Sequence, residues 1–280
     1  MPLRVAFQGE LGAFSEEALR RACGEDASPR PHRTLREVFA AVEGGEADLG
    51  VIPVENSRAG TIPESYDLLL QHRLRVRGEV AVPVEQCLLA PAGTALAEVR
   101  RVYSHPQALA QCEGFLRALG AEAVAVYDTA GSARTLAGEA SPGAAAIASA
   151  RAAHLYGLHI LARGIQDDPG NTTRFYVIGA PGPAVPGGGG PPHTVVALAL
   201  REDEAPGALF WCLSSLAFWR INLVRIESRP SRRRPWHYHF HLELDAGDDS
   251  PAFAGALREL EGRAALVSVL GSFPAASLPG

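Results

Sequence analysis

With 280 residues, 47% hydrophobic and 20% charged, the chain is long enough for two or three compact domains and is composed like a globular protein, which excludes fibrous and disordered classes. A formal net charge of −5 argues against general nucleic-acid binding, and no apolar run approaches the roughly 20 residues of a membrane span. All 26 basic residues are arginines, which removes a Schiff-base lysine, a lysine-anchored pyridoxal phosphate and a P-loop from consideration.

The first residues, Met1-Pro-Leu-Arg-Val-Ala-Phe7, enter a strand pattern instead of a signal peptide, so the expected compartment is the cytoplasm. Cys23, Cys87, Cys112 and Cys212 form no C-x-x-C pair and are expected as buried free thiols. Strands are expected at residues 3–7, 49–54, 99–103, 124–127, 144–148 and 175–178. Helices alternate with them. Ser15 is expected to cap one, with Glu16 and Glu17 in its positive first turn; Thr34-Leu-Arg-Glu37 is a capping box ended by Gly44-Gly45; and Pro106 suits a first helical position. This alternation predicts an α/β fold with parallel sheets and helices on both faces. The polar loops at 9–15, 55–61, 104–107 and Ser149 then fall at the C-terminal ends of strands, where open α/β sheets bind ligands.

Three of these loops carry candidate chemistry. At 50–61 an apolar strand ends in Glu55, Asn56 and Ser57, and Gly60 permits close backbone approach; the alternatives are a cleft or an Asx turn. Ser104 and His105 stand at a helix N-terminus whose free N–H groups favour anions, where His105 either orients substrate or caps the helix. In Asn171-Thr-Thr-Arg-Phe175, three neutral hydrogen-bonding side chains precede a permanent planar cation at a strand start, a set suited to a carboxylate substrate or to a polar turn. Strand alternation puts Thr173 and Arg174 on opposite faces, so Arg174 either meets substrate or anchors on a carboxylate such as Glu55.

Residues 181–192, rich in proline and glycine, read as a linker. Beyond it the expected order is strand 194–200, helix 206–218, strands 221–226 and 236–244, helix 250–262 and strand 265–270, a βαββαβ ferredoxin-like unit. Its third strand puts Tyr238, Phe240, Leu242 and Leu244 on one face and His237, His239 and His241 on the other, so only one face is expected as core. The histidine row is read as hydrogen-bonding surface, not a metal site.

Residues 9–16, 50–60, Ser104-His-Pro-Gln-Ala-Leu109, Ala145-Ala-Ile-Ala-Ser149 and Asn171-Thr-Thr-Arg-Phe175 resemble, in collinear order, the blocks of the prephenate dehydratase family. Past the linker, Gly207-Ala-Leu209, Ile221-Asn-Leu223, Glu227-Ser-Arg-Pro230 and Trp236-x-Tyr238-x-Phe240 resemble its C-terminal ACT regulatory domain. The resemblance implies a two-lobed, periplasmic-binding-protein-like catalytic domain over 1–180 and an ACT domain over 193–280. It also implies conversion of prephenate to phenylpyruvate, carbon dioxide and water, with no metal, flavin or nicotinamide, because aromatisation drives the reaction. Thr173 maps onto the catalytic threonine. Asn56, Ser57, Ser104, His105, Ser149, Asn171, Thr172, Arg174 and Phe175 are the implied substrate-binding residues. Gly207, Ala208, Leu209, Asn222, Leu223, Glu227, Ser228, Arg229 and Pro230 are implied to enclose phenylalanine as effector, and the chain to self-associate as a dimer or tetramer. Two departures stand out: Glu10 replaces the family's usual proline and Ala13 its usual threonine, so Ala13 carries over no ligand. The alternatives weighed are an arogenate dehydratase, which needs an acidic residue for the substrate amine, and a non-catalytic amino-acid sensor.

Overall fold

The computed structural model describes residues 2–138, 141–185, 189–201, 206–231 and 237–276. Trp236 and linker residues 186–188 lie outside them. The chain opens with β1 (Arg4–Gln8), α1 (Phe14–Cys23), β2 (Ser28–His32), α2 (Leu35–Glu43), β3 (Leu49–Asn56), the short β4 (Gly60–Thr61), α3 (Pro63–Gln71) and β5 (Arg75–Pro83). It then crosses to β6 (Cys87–Ala90), β7 (Arg101–Ser104), α4 (Pro106–Gln111), α5 (Glu113–Leu119), β8 (Glu122–Ala125), α6 (Thr129–Gly138), β9 (Ala144–Ala148), α7 (Ala150–Tyr156) and β10 (His159–Ala162). Next β11 (Thr172–Gly179) returns to the first sheet, whose order is β2-β1-β3-β11-β5 with β4 on β3; the second is β10-β6-β9-β7-β8.

The expected all-parallel sheets are corrected to mixed ones. β1 pairs parallel with β2 and β3, and β7 with β8 and β9, but β11 is antiparallel to both β3 and β5, and β6 to β9 and β10. The cause is topological: a strand re-entering from the second lobe runs against those that left the first. The expected Ser15 cap is also corrected, since α1 begins at Phe14 with Ala13 at the cap position and no side-chain cap bond. The Thr34 capping box is formed, and Pro106 stands at the start of α4 with the His105 ring accepting from Gln107 N–H at 3.2 Å.

A third sheet follows, from β12 (Pro192–Ala199), α8 (Ala208–Phe218), β13 (Leu223–Pro230), β14 (Tyr238–Leu244), α9 (Pro251–Arg263) and β15 (Leu266–Pro274), antiparallel in the order β13-β14-β12-β15. Val196, Leu198, Leu242 and Leu244 pack on both helices. The expectation of a single core face fails, because the opposite face is buried against the first sheet: Val195, Ala197, Leu270 and Phe273 share a core with Tyr66, Tyr176 and Ile178. Gly271 lets β15 lie on β5, since a Cβ there would stand 2.0 Å from the Val76 carbonyl oxygen. His241 is therefore not surface: it is 2% exposed, edge-on to Tyr66 at 5.0 Å, and burial drives its pKa down to about 4, so the ring is neutral.

Candidate active site

β3 and β11 run side by side, with Asn56 opposite Thr173, and their ends carry one connected polar cluster. The Asn56 amide donates to Asn171 Oδ1 at 2.7 Å and to Thr173 Oγ1 at 2.9 Å. Its Oδ1 accepts from Arg58 N–H at 3.0 Å and Ala59 N–H at 2.9 Å, so Asn56 also makes the Asx turn. Ser57 closes the other side, its Oγ accepting from Thr172 N–H at 3.0 Å and donating to Gly170 O at 3.2 Å. Two features make the cluster chemically open. Thr173 Oγ1 is occupied as acceptor, which leaves its O–H to donate elsewhere. Asn171 is 2% exposed, yet its Nδ2 donor has no partner among the described residues, an expensive state that a bound acceptor relieves.

Thr173 shares its strand face with Phe175 and Val177, which pack with α1 residues Ala18, Leu19 and Ala22 and with Leu11 and Phe14. The loop at 9–15 that leads into α1 borders a cleft of about 760 Å³ between the first two sheets. Gln8, Glu10, Ser15, Arg33, His105, Asp128, Arg134 and Ser149 are among its lining residues. Thr173, Asn56 and Asn171 are not; they sit on the same face of the first sheet as the loop.

Four contacts tie this loop and the first turn of α1 to the second lobe. Ser149 Oγ donates to Gly12 O at 2.6 Å, Tyr156 OH donates to Leu11 O at 2.8 Å, Arg151 pairs with Glu16 at 2.9 Å and Arg134 with Glu10 at 2.9 Å. Gly12 is required here, with φ +90° and Ala152 Cα 2.9 Å from where a Cβ would stand. Glu16 is 2% exposed; burial works against its charge, but Arg151 and the Gly12 N–H hold its pKa below the usual carboxylate value.

Arg174 faces the other way, as alternation requires. Its guanidinium lies on Glu79, donates to Glu55 at 3.2 Å and reaches Glu243 of β14 at 2.6 Å. Burial opposes the charge, yet Glu243 and Glu79 raise its pKa well above the ordinary arginine value. Arg174 thus anchors on carboxylates, one of the two roles open to it from sequence. Glu79, His193 and Glu243 have ligand atoms within 4.8 Å of one another, a metal-like grouping among the described residues whose two carboxylates both already pair with Arg174. Phe175, 2% exposed, serves the core, and Ser104, fully buried, donates to Ile147 O at 2.8 Å.

Of the residues expected around an effector, Gly207 (φ +100°) caps α8 and Ala208 and Leu209 form its first turn. Asn222 is exposed and Leu223 half-buried at the start of β13. Along that strand Ser228 and Pro230 point outward, whereas Glu227 accepts from Thr61 Oγ1 at 2.8 Å and Arg229 pairs with Asp67 at 3.1 Å.

Sequence reasoning missed Glu79 and Glu243, although a lone glutamate inside an apolar strand signals a buried partner. It noted Glu10 only as a departure and missed Arg33, Asp128 and Arg134 altogether.

The pattern of the family described as "Prephenate dehydratase" matches residues 5–183. The "Arogenate dehydratase/prephenate dehydratase 2, chloroplastic" of Arabidopsis thaliana is 43% identical over 281 residues, covering 97% of this chain and 73% of that protein. A crystal structure titled as prephenate dehydratase in complex with L-Phe, from Arthrobacter aurescens, is 34% identical with a TM-score of 0.87, covering 97% of this chain and 90% of that one. A structure titled "GqqA- a novel type of quorum quenching acylases" is 36% identical with a TM-score of 0.88, covering 98% of each chain. The cytoplasmic expectation does not stand, because several curated relatives are named chloroplastic. It rested on seven residues entering a strand, and those report a fold, not a compartment.

Proposed function

This chain belongs to the prephenate dehydratase family and is a hydro-lyase that converts prephenate to phenylpyruvate with loss of carbon dioxide and water, and we propose that Thr173 supplies its hydrogen bond to the departing ring hydroxyl. The carrying observation is the 2.9 Å bond from Asn56 to Thr173 Oγ1, which engages the oxygen as acceptor and leaves its hydrogen free to donate. An alcohol is too weak an acid to protonate hydroxide outright at neutral pH, so Thr173 stabilises the leaving oxygen or relays a proton to it. Asn171 Nδ2 offers the second donor. In this reading the substrate reaches from Thr173 toward the cleft, where Arg33 and Arg134 offer cations to its carboxylates, with His105 and Ser149 at the wall. The two lobes around it are the periplasmic-binding-protein-like catalytic part. Positioning and aromatisation then carry the reaction.

The third sheet, in this reading, is the ACT regulatory domain, and phenylalanine binds where Gly207–Leu209 and β13 meet a second copy. Phe210, Trp211 and Phe218 on α8 and Val224 and Ile226 on the edge strand β13 are exposed, which supports self-association on that side. Effector control requires preferential binding to a less active arrangement. Arogenate as a further substrate is favoured by one observation: Glu10 and Asp128 line the cleft, supplying carboxylates for an amine. Purified protein assayed on prephenate and on arogenate, with phenylpyruvate followed by absorbance and phenylalanine by chromatography, tests both. Turnover of prephenate is expected; no turnover of either substrate contradicts the reading.

A further inference from the structure

Both residues placed at the reacting centre have neighbours gripped by the third sheet. Glu55 precedes Asn56 and Arg174 follows Thr173, and the two pair with each other at 3.2 Å. Arg225 of β13, on the third sheet, donates to the same Glu55 oxygen at 3.0 Å, to Tyr66 OH at 2.6 Å and, from its other branch, to Thr61 Oγ1 at 2.6 Å. Glu55 and Thr61 face each other across β3 and β4, so Arg225 holds the base of the turn that carries Asn56 and Ser57. From β14, Glu243 accepts from Arg174 at 2.6 Å and from Tyr176 OH at 3.3 Å, and lies 3.0 Å from His193 Nδ1. It is 2% exposed.

From this arrangement we infer that Arg225 and Glu243 are positioning residues for the dehydration. They act through Glu55 and Arg174 to set the spacing of Asn56 and Thr173 across the β3–β11 pair. The inference rests on the proposed role of Thr173 and goes beyond it, because it makes the third sheet part of the alignment of the reacting centre. A guanidinium suits the position of Arg225 because its planar fork reaches Glu55 and Thr61 from separate nitrogens, a geometry that the single nitrogen of an ammonium does not reproduce. Each link is a charged hydrogen bond, and the Glu243 end is buried; a displacement near 1 Å at the reacting centre costs ~10²-fold in rate.

The test uses the full chain with prephenate. Arg225→Gln and Glu243→Gln are expected to lower kcat by about 10- to 100-fold and to change KM by less than about threefold. Arg225→Lys, which keeps the charge opposite Glu55 but loses one branch, is expected to recover part of that loss. Combined with Thr173→Ala, Arg225→Gln is expected to cost less than the product of the single effects, since both act on one hydroxyl. A merely structural role predicts a lower melting temperature with wild-type kcat in the molecules that remain folded. Wild-type kcat in the folded Gln variants, with Thr173→Ala inactive, overturns the inference and leaves the site intact. Wild-type kcat in Thr173→Ala overturns the underlying assignment instead. If the Gln variants do not fold, Arg225→Lys carries the test: reduced kcat at unchanged KM supports the inference, and wild-type kcat overturns it.

Discussion

Replacing Asn56 by aspartate separates the chemical role of the site from its structural role. The wild-type amide makes donor bonds of 2.7 Å to Asn171 Oδ1 and 2.9 Å to Thr173 Oγ1, while its oxygen supports the turn at Arg58 and Ala59. The isosteric carboxylate keeps the turn but turns these two bonds, and a longer third one of 3.4 Å to Thr172 O, into oxygen–oxygen contacts. Left alone, such buried losses cost about 1–3 kcal/mol each. The two side-chain partners can reverse, whereas the Thr172 carbonyl only accepts. Asn171 has an unpartnered Nδ2 that an amide flip brings round as a donor, and the Thr173 hydroxyl rotates to donate to the new carboxylate. The contact with Thr172 O and the burial of a carboxylate at a position 6% exposed remain, so stability is expected to fall by ~1–3 kcal/mol. Activity is expected to fall much further, because the Thr173 hydrogen is then held by the carboxylate and withheld from substrate. Loss of a positioned proton-transfer group predicts a kcat drop of ~10²- to 10⁴-fold. Urea unfolding and steady-state assays on prephenate measure the two effects. Near wild-type kcat in a folded Asn56→Asp protein, or a large loss of stability with proportionate loss of activity, refutes the reasoning.

Three further outcomes are expected. Glu10→Gln lowers kcat/KM for arogenate about tenfold relative to prephenate, the low end for a charge-assisted bond because the carboxylate is partly exposed; an unchanged ratio denies Glu10 the amine. Isothermal titration of the wild-type chain detects phenylalanine binding, and its absence makes the third sheet purely structural. The Glu16 carboxylate, whose folded pKa lies below its unfolded value, stabilises the protein above roughly pH 4.3 and ceases to do so as pH falls through the folded pKa. Glu16→Gln therefore lowers Tm at neutral pH by an amount that shrinks in acid, whereas a pH-independent gap contradicts stabilisation through the Glu16–Arg151 pair.

Local chemistry was legible in the sequence and long-range pairing was not. The strand expected at 144–148 is β9 to the residue, and the Thr34 box and Pro106 behave as their spacing dictates, because each depends on neighbours within four positions. β2, Ser28–His32, escaped notice because its two prolines argue against a strand; it lies at a sheet edge, where proline is tolerated. Asn56 and Thr173 were each visible as polar strand ends, but a hydrogen bond across 117 positions is fixed by the antiparallel return of β11. The same return placed Arg174 against Glu243, 69 positions away, and so concealed how closely the third sheet adjoins the reacting centre.

The most direct test of Thr173 as donor to the leaving hydroxyl is kcat on prephenate for Thr173→Ser against Thr173→Ala in folded protein. Serine keeps an O–H within reach of the Asn56 amide, so it is expected to retain most of the activity, while alanine loses ~10²- to 10⁴-fold. Equal kcat in the two variants, or a Thr173→Ala enzyme near the wild-type rate, contradicts the account.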